Sequence, residues 1–151
     1  MATGDIIVFE EAKAYMIDGG WEAADTIKLA ICDNTTTPTA ADAVPAVGSG
    51  GTTNYTEVGA AGTYTTGGET LDTLANCVVE AGGTMTFDDT GASVTWAADA
   101  SNDTDAWWGV VYNDTDTANR AICFIELGGP VDMAAGSLTV TWNASGIFTI
   151  V

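Results

Sequence analysis

The sequence predicts a mainly β protein: an antiparallel β-sandwich or jelly roll with one N-terminal amphipathic helix packed on it. Three observations lead there. Short runs rich in β-branched and aromatic residues recur from residue 70 onward, with apolar and polar positions alternating. Clusters of Gly, Asn and Asp separate them, as turns between short strands require. Only residues 5–18 carry the 3.6-residue periodicity of a good helix. The 151 residues suit one domain with a single hydrophobic core, so the whole chain, 1–151, is assigned to it.

The helix is "DIIVFEEAKAYMID". Val8, Phe9, Ala12, Tyr15 and Met16 share one face, and Glu10, Glu11 and Lys13 lie largely on the other. Asp5 is expected to cap it, and Gly19–Gly20 to stop it. Its expected role is to cover a sheet. "DTIKLAICD" follows, with Ile27, Leu29 and Ile31 alternating against Lys28 and Ala30 in a half-buried strand. Residues 33–68 are rich in Thr, Ala and Gly and hold two of the three prolines, so they read as a long surface excursion with a turn of helix near Tyr55–Val58. In "GTMTFDD" Met85 and Phe87 face one way, and in "ASVTWAA" Val94 and Trp96 do. Asp88–Gly91 between them reads as a hairpin turn, with Gly91 at the positive-φ position. "DAWWGVVYN" and "RAICFIELG" are apolar on both faces, as central strands are, and strict alternation sends Trp107 and Trp108 to opposite faces. Leu138, Val140 and Trp142 line the next strand. Asn143–Gly146 then turns the chain into Ile147, Thr149 and Val151.

Composition narrows function. Three Lys or Arg face 21 Asp or Glu, a formal net charge of −18. Such a chain repels nucleic acid and anionic membranes, so neither is an expected partner; a basic or polar protein surface is. The absence of histidine removes Ser-His-Asp and Cys-His catalysis and the commonest zinc ligand. Cys32, Cys77 and Cys123 are widely spaced, lie in or beside apolar stretches, and read as buried free thiols. The N-terminal residues lack the pattern of a signal peptide, which points to synthesis in a cytoplasm. Without a secretion signal, the Asn-x-Ser/Thr triplets at Asn34, Asn54, Asn102, Asn113 and Asn143 are by-products of composition.

Four chemistries have candidate residues in the sequence. Asp99, Asp103, Asp105, Asp114 and Asp116 form two Asn/Asp-rich stretches that could supply oxygen ligands to calcium. The EF-hand spacing is missing, however, and Asp and Asn are also the ordinary turn residues, so no metal is assigned. "GSGGTTN", Gly48–Asn54, lacks the lysine of a phosphate loop. Paired carboxylates for glycoside hydrolysis would need a cleft, whereas the acids here sit mostly in turns; no enzyme, catalytic residue or cofactor is expected. Trp21, Trp96, Trp107, Trp108 and Trp142 could form a carbohydrate-stacking platform, but four of them lie in apolar strands and fit a core better.

The order of segments carries further information. A helix precedes "DTIKLAICDNTTTPTAADAV"; "YTEVGAAGTYTTGGETLDT", "FDDTGASVTWAADASNDTDAWWGVVYNDT" and "GSLTVTWNASGIFTIV" follow. Across nearly its whole length the chain resembles a family of small virion structural proteins of tailed bacteriophages. The family reads as a helix, "DTLKVALTN", a Thr/Pro/Ala stretch, "GYTTGG", a "W-A" strand, a "YNDT" turn and a closing "ASGILTI"-like strand. It departs at "DAWWGVVY", where the family often has "G-P-F-R-Y". The resemblance implies a capsid decoration (cement) protein on the head exterior. The major capsid protein and copies of the chain itself, as a trimer, would be its partners. Ala2, Thr3, Gly4 and Asp5, the excursion residues Thr53, Asn54 and Tyr55, and Trp107 are the expected contacts. A tail, baseplate or fibre protein and a carbohydrate-binding module are the alternatives.

Overall fold

A computed structural model of the chain describes residues 2–91 and 93–150. Its strands, in chain order, are β1 (Ile6–Val8), β2 (Thr26–Cys32), β3 (Pro45–Val47), β4 (Thr53–Tyr55), β5 (Glu69–Thr73), β6 (Val78–Ala81), β7 (Thr84–Phe87), β8 (Ser93–Trp96), β9 (Ala106–Asn113), β10 (Ala121–Val131), β11 (Leu138–Thr141) and β12 (Phe148–Ile150). Among the described residues two helices, α1 (Glu10–Ile17) and the single turn α2 (Leu74–Cys77), complete the set. The protein is mainly β, with several antiparallel sheets and one longer helix near the N-terminus.

The two most apolar runs occupy the centre. β9 and β10 pair antiparallel within a five-stranded sheet of order β1-β10-β9-β2-β5. One face of this sheet meets two smaller sheets, β11-β8 and β12-β7-β6. Between them lies the larger core, with Ile27, Leu29 and Ile31 of β2, Val111 of β9, Phe87, Val94, Trp96, Leu138, Val140 and Trp142. The opposite face is covered by α1 and by β3-β4, which bury Phe9, Ala12, Val47 and Tyr55 against Cys32, Val110, Tyr112 and Phe124. Three layers result, with both faces of the central strands buried, as their continuous hydrophobicity demands.

Several expectations need correction. Ile6–Val8 is an edge strand in register with Cys123–Ile125, not the first turn of the helix, and Phe9, not Asp5, stands at the helix N-cap. A β-branched Ile-Ile-Val run gains more from pairing with β10 than from a helix whose only buried residue is Ala12. Gly19 takes a φ of 72° just after the helix and does stop it.

The 33–68 stretch is not a surface excursion throughout. Pro38, Ala46, Val47, Tyr55, Val58 and Tyr64 are buried, and no helix forms at Tyr55–Val58; Glu57 instead bridges to Cys32. Two glycines of "GSGG", Gly50 and Gly51, serve close packing. A side chain on Gly50 would collide with the backbone of Ala118, and one on Gly51 with the carbonyl of Val44.

Asp88–Gly91 is not a hairpin turn. β7 pairs with β6 and β12, while β8 pairs with β11, so the segment carries the chain from one small sheet to the other. The tight hairpin is one step earlier: Gly82 (φ 60°) and Gly83 (φ 83°) join β6 to β7 as a two-residue turn. In the closing strand Phe148 pairs across from Phe87 and stacks on it, so Phe148 takes the core-facing side and Thr149 the outer one, while Ile150 at the strand end stands exposed. The expectation for Val151 lies outside the described residues.

Candidate functional site

The five aspartates considered for calcium do not converge. Asp105 precedes β9 and Asp114 follows it, and eight strand residues at about 3.3 Å each separate the two groups by roughly 26 Å. Each group serves the backbone instead. Asp99 accepts from the Ser101 amide (2.9 Å). Asp103 accepts from the amides of Gly59, Thr104 and Asp105 at 2.9, 2.7 and 3.1 Å. Asp116 accepts from Ala118 N (2.7 Å). The Gly59 bond, the largest influence, holds the Asp103 carboxyl below the usual range, with burial opposing it and the two loop amides adding to it. Among the described residues no group of three or more Cys, Asp or Glu is placed to hold a metal ion.

Asn102 organises the Asp99–Asp105 loop. Its buried side chain donates to Thr63 Oγ1 (3.0 Å), Ala97 O (3.0 Å) and Met133 O (3.2 Å), and accepts from Thr63 N (2.9 Å) and Tyr64 N (3.3 Å). At the other end of β9, Asn113 donates to buried Asp25 (2.7 Å) and accepts from the amides of Thr115 and Asp116. Both asparagines stand in Asn-x-Ser/Thr triplets, yet both are buried by this work, which closes them to glycosylation.

The basic residues are few, and two of the three pair with aspartates. Lys28 pairs with Asp114 at 2.9 Å. Arg120 lies 3.4 Å from Asp116, which is only 8% exposed, and its guanidinium sits 4.3 Å over the Tyr15 ring. The arginine beside the acidic turn is thus paired with Asp116, not Asp114. Lys13 stands exposed on α1.

The expected contact residues fall into two places. Ala2, Thr3, Gly4 and Asp5 are exposed, but they are held in a turn, with Ala2 N donating to Asp5 (2.8 Å) and Gly4 N to Glu126 O (2.7 Å). Thr3 lies against Gly128, and Trp107 against Gly129, so Trp107 belongs to the same end of the sheet. Thr53 and Asn54 are half-buried near the other end, beside the β9–β10 turn. Tyr55 is not available to a partner: it is 1% exposed, stacks on Phe9 and donates to Asp42 at 2.7 Å.

The tryptophans do not form a platform. Trp96, Trp108 and Trp142 are buried, and Trp21 and Trp107 partly so. Trp107 and Trp108 do not separate cleanly to opposite faces. β10 shifts register between Glu126 and Val131, opposite this part of β9, and Trp107 packs at the margin of the same cluster that buries Trp108. Trp107 donates to Asp105 (2.6 Å) and Trp108 to Asn34 (3.1 Å). The three cysteines are buried and unbonded; burial raises all three thiols, Cys77 up to about 12.

Two small sheets carry threonine-rich outer sides: exposed Ser93, Thr95, Thr139 and Thr141 on β8 and β11, and half-buried Thr86 and exposed Thr149 on β7 and β12, alternate with the core residues. Thr95 and Thr139 face each other with hydroxyls 2.9 Å apart. The Thr-x-Thr spacing of "TMTF" and "LTVT" was the available signal. No protein-family model, curated protein or solved structure matches this chain.

Proposed function

We propose that the protein is a decoration (cement) protein of a tailed-bacteriophage head, which binds the shell exterior and bridges capsid subunits. The observation that carries this reading is the charge arrangement. Of three basic residues, Lys28 and Arg120 are matched to the protein's own Asp114 and Asp116, which leaves a surface of uncompensated carboxylates at a net −18. Such a surface suits a basic protein partner and is unsuited to phosphate backbones or anionic lipid. The segment order that resembles the virion structural family supports the same conclusion. So does a framework buried on both faces of its central sheet, which can present a surface without rearranging. Many copies, associated as trimers, each burying a modest area against a repeating shell, would stabilise the head through multivalency.

Purified protein added to undecorated heads is expected to bind saturably and raise the temperature at which the shell ruptures. No binding at low salt overturns the proposal. Copy number separates the head from a tail or baseplate location: hundreds per virion belong to the shell, a handful to the tail.

A further inference from the structure

We infer that copies of this chain meet head to tail, with Lys13 and Ile17 on α1 of one copy seated against Glu80, Met85 and Ile150 of the next. The inference supplies the contact for the self-association proposed above, rests on that part of the reading alone, and is tested without heads.

Charge selects the occupant. At a net −18, most approaches of two copies bring carboxylates together. Lys13 is the exception. Lys28 and Arg120 are matched to Asp114 and Asp116, and among the described residues Lys13 has no ion-pair partner. A basic shell protein is repelled by Lys13, whereas a carboxylate of a second copy is drawn to it.

Apolar surface selects the place. Among the described residues the exposed large apolar side chains are Ile17, Val79 and Ile150. Ile17, 85% exposed, follows Lys13 by one turn on the same side of α1. Ile150 stands in register with Met85, and Met85 with Glu80, in one row across β12, β7 and β6. Val79 is on the opposite side of β6 and takes no part. The row lies on the side that faces the core at Phe148, Phe87 and Val78, but it runs past the core. Glu80 and Ile150 are exposed there and Met85 is half-buried. With the Gly82–Gly83 turn the row lines an open hollow of about 540 Å³, and a Cβ on either glycine would meet nothing within 4 Å. Glu80 is the sole charge from Val78 to Phe87, and among the described residues it too has no ion-pair partner.

The spacings agree. Residues four apart on a helix are about 6 Å apart, and neighbouring strands are about 4.8 Å apart. Ile17 set over Met85 and Ile150 therefore brings Lys13 to Glu80, so apolar meets apolar and cation meets anion. Glu10 and Asp18 flank the pair on α1, which keeps the attraction local and each contact weak. Unlike patches joined head to tail can close into a ring, and a ring of three is the trimer proposed above.

Sedimentation equilibrium on the full chain tests this, from about 10 μM to about 1 mM, a range set by the affinity scale of weak complexes. The apparent mass should climb from the 15.4 kDa of one chain toward three chains. Lys13→Glu and Glu80→Lys should each weaken association about two- to thirtyfold, since an attraction becomes a repulsion. The double variant Lys13→Glu/Glu80→Lys restores the pair in reverse and should recover most of the loss. Ile17→Ser should also weaken association; circular dichroism confirms the fold of each variant. Glu80→Lys separates this contact from bulk charge. It makes the chain less negative, so general repulsion alone predicts tighter association, whereas the contact predicts weaker. A parent that stays a single chain at about 1 mM overturns the inference. So does a Glu80→Lys variant that associates as well as the parent, or a double variant that recovers nothing. A mass that levels off at two chains overturns the ring of three. Head binding of the parent is scored separately: binding without self-association sinks this inference and leaves the decoration proposal standing, and self-association without binding does the reverse.

Discussion

Asn102→Ala is the most direct test of how the Asp99–Asp105 loop is built. The side chain is 5% exposed and bridges three parts of the chain: Thr63–Tyr64, Ala97 and Met133. Truncation does not remove these bonds equally. Ala97 O keeps the Thr63 hydroxyl at 2.6 Å, and Met133 O keeps a long contact from Asp99 N at 3.5 Å. The Thr63 amide loses its acceptor. The three lost hydrogen bonds, from the Thr63 amide and to Ala97 O and Met133 O, are worth about 1 kcal/mol each, so the total is about 3 kcal/mol. For a domain of this size each kcal/mol lowers Tm by about 2–4 °C, so a fall of roughly 6–12 °C is expected.

Differential scanning calorimetry at pH 7 measures it. Asn143→Ala is the control. Asn143 is exposed, accepts from one neighbouring amide, Ser145 N, and turns the chain as ordinary loop asparagines do. Its substitution should lower Tm by less than about 2 °C. If Asn102→Ala falls within the same 2 °C, the loop is held by its local aspartate turns and the reasoning about Asn102 is wrong.

Three further outcomes follow from the buried polar groups. The Gly59 amide depresses the folded-state pKa of Asp103, so its contribution is present above the unfolded value near 4 and is lost as pH falls through the folded value. Asp103→Asn should therefore narrow its Tm gap to the parent as pH drops from 5 toward 2; a constant gap removes the ionisation argument. Burial, with help from Asp42, Glu57 and Asp114 respectively, raises the phenols of Tyr55, Tyr64 and Tyr112 well beyond their ordinary range. Absorbance at 295 nm in the native protein at pH 11 should then show no more than one of the four tyrosines ionised; two or more contradicts the packing. The three thiols should be silent to a disulfide reagent such as DTNB in the native state and react in full in guanidinium. Rapid native labelling of even one would contradict its burial.

Local features of the sequence translated well where one residue's neighbours decide its conformation. The alternation of Leu138, Val140 and Trp142, and of Val94 and Trp96, was readable because each strand has one face in the core. The break in each misreading is non-local. "DDTG" has turn chemistry, but whether β7 then pairs with β8 depends on β6 and β12 competing for its edges. "IIVFEEAKAYM" fits a helical period along its length, yet β10 offered the first three residues a partner more than a hundred positions away. Thr- and Gly-rich 33–68 has no strong period, and its burial comes from four well-spaced aromatic or branched residues, Val47, Tyr55, Val58 and Tyr64, that meet the sheet after folding. At the candidate site the acidic spacing suggested ligands because aspartate is named for its charge. In the loops it acts mainly as a hydrogen-bond acceptor.

That last point separates charge from structure in a testable way. Asp33 accepts from Thr35 N (2.8 Å), Asp99 from Ser101 N (2.9 Å) and Asp132 from Ala134 N (2.9 Å), each two residues on. Asparagine makes the same turn with a neutral carbonyl oxygen. The triple variant Asp33→Asn/Asp99→Asn/Asp132→Asn should keep Tm within about 2 °C of the parent, since Asp132 is exposed, Asp33 and Asp99 are only half-buried, and asparagine keeps the turn bond at each. Its affinity for heads should fall, because surface charges each contribute about 0.2–1 kcal/mol to a complementary surface, or about three- to 150-fold for three of them. The salt dependence of binding should become shallower by the same logic. A variant that folds normally and binds with undiminished affinity and unchanged salt dependence would mean that these acids turn the chain and do nothing else. The charge argument for a basic partner would then lose its support from this side of the molecule.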